Sequence, residues 1–108
     1  MIMIKVVFYE SITGEVIGFR ISGHAKYEKA GKDIVCAAVS SASYMAINTL
    51  TEILNIHANV SVDNGKMEVA INEKDTLLCR DILNGFRLHI KSLEKIYPKH
   101  LKVIFMGV

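Results

Sequence analysis

ANVSVDNGKMEVAIN, residues 58 to 72, is two short β-branched runs joined by Asn64-Gly65. Asn and Gly adopt positive φ at little cost, and together they favour the type I′ turn, whose twist matches a pair of antiparallel strands. A tight hairpin in the second half of the chain excludes a strict strand-helix alternation, since a parallel pairing needs a crossover of a dozen residues or more. The segments on either side of it set the architecture.

Upstream, apolar positions from Ile34 to about Ile56 recur at three- and four-residue spacing: Val35, Ala38, Val39, Ala42, Met45, Ala46, Leu50, Ile53 and Leu54. This spacing predicts a long helix, and Asp33 is the candidate N-cap, its carboxylate accepting from the first-turn N–H groups. Further upstream, IMIKVVFY (2–9) and VIGFRIS (16–22) flank the turn residues SITGE (11–15), so the first 22 residues predict another hairpin. Downstream, Asp75 or Thr76 can cap a second helix with an apolar stripe at Leu78, Ile82, Phe86, Ile90 and Leu93, ended by Pro98. HLKVIFMG (100–107) supplies a last strand. The order ββαββαβ predicts an α+β fold, two helices packed on a largely antiparallel sheet.

The 108 residues carry no linker, repeat or low-complexity tract, and one domain spanning 1–108 is expected. Hydrophobic residues make up 51%, and a chain of this size buries roughly 60 to 70% of its unfolded surface, enough for a core without disulfides or structural metal. Thirteen Lys and Arg against eleven Asp and Glu leave a net charge of +2, too weak a field to argue for direct nucleic-acid binding. No apolar stretch approaches the ~20 residues that span a bilayer, and MIMIKVVFYE lacks the parts of a secretory signal, so the expectation is a cytoplasmic protein without membrane association. Neither Cys36 nor Cys79 sits in a CxxC or other metal-ligand spacing. A disulfide framework is not expected in that compartment.

The stretch SGHAKYEKAGKDIVCAAVSSAS, residues 22 to 43, places His24 just past the second strand and Cys36 at the third position of the predicted helix. A thiol is a poor nucleophile until ionised, and the positive end of a helix stabilises the thiolate. An imidazole brought beside it would form a thiolate–imidazolium pair and later protonate a leaving amine. The backbone N–H groups of Cys36 and Ala37 are candidate oxyanion donors. AKYEKAGK (25–32), with three lysines and one glutamate, predicts a solvated, movable flap, and the small residues AAVSSAS (37–43) allow close helix packing and room near the thiol. Each feature has a plainer role: Cys36 as a core filler, Asp33 as a cap rather than a third catalytic member, and Ser40, one turn on, as a packing residue rather than a donor to the thiolate. Cys79 has the surroundings of a structural thiol, and His57, His89 and His100 show no metal-site spacing. Neither metal nor cofactor is called for.

Gly23-His24-Ala25, Gly31 and the run DIVCAAVS (33–40) resemble the motif of the ribosomal-processing cysteine protease family Prp, and size and element order extend the resemblance over the chain. It implies an endopeptidase that removes the N-terminal extension of the large-subunit ribosomal protein L-twenty-seven, with His24 and Cys36 as the catalytic pair and Asp33 and Ser40 at further motif positions. It also implies a homodimer and a His-to-Cys loop that closes over substrate. The rival from another class is a non-catalytic ribosome-associated binding module in which Cys36 is structural; it predicts an unreactive thiol.

Overall fold

The computed structural model describes residues 3–23 and 34–108. The chain forms β1 (Ile4–Glu10), β2 (Val16–Ser22), α1 (Ile34–Asn48), β3 (Asn59–Asp63), β4 (Lys66–Ala70), α2 (Thr76–Ile96) and β5 (Leu101–Gly107). This is the expected ββαββαβ order. The strands make one five-stranded sheet in the order β3-β4-β2-β1-β5.

Three of its four pairings are antiparallel; β5 lies parallel to β1. The reason is α2, whose 21 residues rise about 1.5 Å each and return the chain across the sheet, so that β5 begins at the same end as β1. The expectation of a largely antiparallel sheet holds, with one parallel pair at the β5 edge. That edge is partly closed by Glu94 of α2, whose Oε2 accepts the Val103 N–H at 2.8 Å.

Alternation builds the inner sheet face. Ile4, Val6 and Phe8 of β1 point inward, opposite Phe19 and Ile21 of β2, and Met67 and Val69 of β4 continue the layer. Phe86 of α2 meets both sheet phenylalanines, at ring-centroid distances of 4.6 Å to Phe19 and 5.6 Å to Phe8. Arg87, one position on, pairs with Glu10 of β1 at 2.9 Å and donates to Asn84 Oδ1, which ties α2 to the sheet at its margin. Val39, Ala46 and Leu50 join the same core from the first helix.

Several local expectations change. The helix that begins at Ile34 is regular only to Asn48 and continues as a wider π turn over Thr49–Ile53, closed by Asn55 at φ 54°. Thr49 and Thr51 hydroxyls donate back to the Met45 and Ile47 carbonyls at 2.8 and 3.1 Å, competing with the regular ladder where it widens. Within this helix Met45 and Ile53 face solvent rather than the core. The whole run Ile34–Ile53 is 20 residues and apolar enough by composition to cross a membrane, contrary to the expectation that no stretch reaches that length.

The α2 stripe also moves: the buried positions are Cys79, Leu83, Phe86, Ile90 and Leu93, while Leu78 is 61% exposed and Ile82 half-buried. Repeated steps of four drift about 40° per step on a helix of 3.6 residues per turn, whereas alternating four and three stay on one face. At the start of α2, Asp75 is the N-cap residue but makes no side-chain cap, and the Thr76 hydroxyl donates to the Glu73 carbonyl at 2.8 Å. A 3₁₀ turn over Glu73–Asp75 leads the chain in instead.

Candidate active site

The site is built at one end of the sheet. β2 ends at Ser22, opposite Lys5 near the start of β1, and Gly23 follows at φ 93°. A side chain there would drive into the Met3 carbonyl oxygen, so both the φ and the space require glycine at the residue that launches the chain toward position 24. The β3–β4 turn sits at the same end, because Met67 pairs with Ile21; Asn64 at φ 43° and Gly65 at φ 78° give the I′ conformation.

Cys36 is the third residue of α1, half-buried and packed against the rim of the core. Its position in the first turn sets the sulfur in the positive field of the helix start, where an anion is favoured. Ala37 is exposed beside it and Ser40 follows one turn later, half-buried, its carbonyl accepting from Ser43 Oγ at 2.9 Å. Ser43 is fully buried, the one polar side chain among the described residues to reach the core, and its small size keeps α1 close to its neighbours. His24 and Asp33 lie outside the described residues, so the structure places Cys36, Ala37 and Ser40 of the five candidates.

Cys79 contrasts with Cys36. It is fully buried on the inner face of α2, and burial, followed by the Asp75 carboxylate, pushes its thiol pKa above the ordinary value. It therefore stays a neutral core side chain, as expected. His57, His89 and His100 are all exposed, and no group of three or more metal-ligating side chains occurs among the described residues.

Sequence reasoning missed the wall opposite α1. Cys36, Ser40 and Tyr44 recur every four residues along one side of the helix, and Ser40 and Tyr44 line a cavity of about 110 Å³ with Val62, Gly65, Lys66 and Met67 of the β3–β4 hairpin. The signal was present in the four-residue spacing and in the alternation of NVSVD, but neither shows that strand and helix lie side by side.

A thiol at a helix start, beside a groove between that helix and a sheet edge, on a small α+β scaffold, defines a candidate thiol hydrolase. The profile of the family described as cysteine protease Prp matches residues 3–102, and the chain belongs to that family. The ribosomal processing cysteine protease Prp of Bacillus subtilis is 21% identical over 107 residues, covering 94% of this chain and 96% of that protein. Among solved structures, the Staphylococcus aureus ribosomal processing protease Prp in complex with a substrate peptide superposes with a TM-score of 0.86 at 20% identity, over 95% of this chain and 99% of the other. A Streptococcus mutans protein gives a TM-score of 0.85 at 25% identity, over 98% and 96% of the two chains. The S. aureus protease also has a structure with a covalently linked product peptide, at a TM-score of 0.84, 21% identity, and the same coverage as the substrate complex. The chain is a cysteine protease of the Prp fold.

Proposed function

We propose that this protease trims the N-terminal extension of a large-subunit ribosomal protein, L-twenty-seven, in the cytoplasm and as a homodimer. The observation that carries the reading is the contrast between the cysteines: Cys36 is set at a helix start beside a groove, while Cys79 is sealed in the core. The ribosomal role rests on the relative from B. subtilis, whose name states ribosomal processing.

In this reading Cys36 is the nucleophile and His24 the general base and acid. The Cys36 thiol gives its proton to the His24 imidazole, and the thiolate attacks the scissile carbonyl carbon. Negative charge moves to the carbonyl oxygen, where the Cys36 and Ala37 N–H groups and the helix dipole stabilise it. The tetrahedral intermediate collapses as the imidazolium protonates the departing amine, leaving a thioester on Cys36. Water, losing a proton to the imidazole, then attacks the thioester; the acid leaves and the thiol is restored. Asp33 and Ser40 take the further motif positions in this reading, with Ser40 one turn after Cys36 on α1. No step calls for a metal or cofactor.

The test is cleavage of a peptide spanning the ribosomal extension, with products identified by mass spectrometry. Cys36→Ala and His24→Ala are each expected to lower kcat/KM by about a thousandfold or more. Retention of wild-type rate by either variant removes that residue from its role. The rival binding-module reading requires that Cys36→Ser leave function intact and that the Cys36 thiol resist alkylation.

A further inference from the structure

We infer that the helix-free face of the sheet binds single-stranded RNA, with lysines taking its phosphates and Tyr9 stacking on a base. The inference goes beyond the protease reading and uses none of its steps. Both helices pack on the face of Ile4, Val6 and Phe8, and among the described residues no helix or strand covers the opposite face. The alternate residues of each strand make that open face, Lys5, Val7 and Tyr9 in the case of β1.

Charge on the open face is unevenly placed. Each carboxylate stands opposite a base: Asp63 is the register partner of Lys66, and Glu68 that of Arg20. Lys5 of β1 has instead Lys102 of β5 as its partner, both exposed and neither in a salt bridge among the described residues. Like charges on neighbouring strands, about 4.8 Å apart, repel and destabilise a sheet, and a bound anion relieves that repulsion. Lys99 and His100, exposed in the turn before β5, add donors at the same end. A net charge of +2 over the chain conceals this cluster, because only strand register sets residues 5 and 102 side by side. The expectation drawn from net charge is thereby reversed at this face.

Tyr9 is what separates RNA from an acidic protein as the occupant. Its register partner is Gly18, and the ring lies against that glycine: a side-chain carbon at Gly18 would stand 3.5 Å from Tyr9 Cδ2. The ring is half-buried, and its hydroxyl makes no hydrogen bond among the described residues. Tyr9 and Lys5 are four residues apart, about 13 Å along one strand. An aromatic ring held against a sheet, with lysines further along it, is the arrangement on which unpaired bases stack while basic side chains take the backbone. A duplex keeps its bases stacked on each other and has none to offer the ring.

The experiment follows the fluorescence anisotropy of a labelled oligouridine titrated with the full chain. Neutralising two phosphates predicts a log–log salt slope near −1.4, an about sevenfold loss of affinity between about 50 and 200 mM salt. Lys5→Gln combined with Lys102→Gln is expected to flatten that slope and weaken binding at the lower salt about tenfold, with Tm equal to or above that of wild type because the repulsion is gone. Tyr9→Leu, which keeps an apolar side chain over Gly18, is expected to weaken binding about fivefold or more and leave the slope unchanged. Duplex RNA is expected to bind about fivefold more weakly than oligouridine or worse. No binding at about 50 mM salt, or an affinity unchanged in both variants, overturns the inference. Equally tight binding of polyglutamate or of the duplex overturns the assignment to single-stranded RNA. If wild type is a dimer that Tyr9→Leu dissociates in size-exclusion chromatography, the face joins two copies of the chain and the inference falls. The protease reading stands or falls separately, on loss of peptide cleavage in Cys36→Ala.

Discussion

Cys79 lies fully buried one turn into α2, its thiol held neutral first by burial and then by the Asp75 carboxylate, while Cys36 stands half-buried at the start of α1. Iodoacetamide on the native protein is therefore expected to label Cys36 alone, with Cys79 labelled only after denaturation, as mass mapping would show. Labelling of Cys79 at the native rate of Cys36 would contradict the packing. The Cys79 shift also has a sign in stability. Its folded pKa is raised above the ordinary thiol value of about 9.0, so above that pH the unfolded chain loses a proton that the native state keeps. The contribution is complete below about pH 9 and drains away as pH rises through the folded pKa, so the fall of Tm in that alkaline range is expected to be shallower in Cys79→Ala. Gly23 is the other decisive single residue. Gly23→Ala combines a positive φ, costing about 1–2 kcal/mol, with a collision against the Met3 carbonyl, and is expected to lose more than that in urea denaturation.

At the scale of elements, the hairpins were legible because local chemistry fixes them. Asn64-Gly65 needs no partner to favour its turn, and the IKVVFYE and VIGFRIS runs carry their own alternation and strand propensity. Helix faces were less legible, since Leu78 and Cys79 are both apolar and only contact with Phe8 and Phe19 decides which one α2 turns inward. Truncating each residue separates the two registers: Leu83→Ala, at a 1% exposed site, is expected to cost about 2–5 kcal/mol, and Leu78→Ala, at a 61% exposed site, about 0.5 kcal/mol or less. Equal losses in chemical denaturation would restore the stripe through Leu78. The π turn at Thr49–Ile53 was not legible, because its threonines are compatible with an ordinary helix and the widening depends on their back-bonds. For the site, the sequence supplied Cys36, its helix position and Ser40 one turn on, all local facts. The wall of Val62 and Met67 comes from the β3–β4 hairpin some twenty residues later, and only tertiary packing brings it beside Tyr44.

Over the whole molecule, one apolar cluster joins both helices to the sheet, and no second core competes with it among the described residues. Phe86 is its hinge point, because its ring bridges the phenylalanines of β1 and β2 from the opposite layer. The helix carrying Cys36 rests on this same cluster through Val39, Ala46 and Leu50, so the placement of Cys36 depends on the shared core. Unfolding is expected to be a single cooperative transition, with far-ultraviolet circular dichroism and tyrosine fluorescence coincident. Phe86→Ala, at a 2% exposed position, is expected to lower stability by about 3–5 kcal/mol while preserving that coincidence. Alkylation of Cys79 should then begin at the same denaturant concentration as loss of helix signal, since both depend on the one core. Two separated transitions, or exposure of Cys79 well before the helices melt, would mean that α2 and the sheet form distinct cooperative units and that the helix of Cys36 is held by something other than the shared cluster.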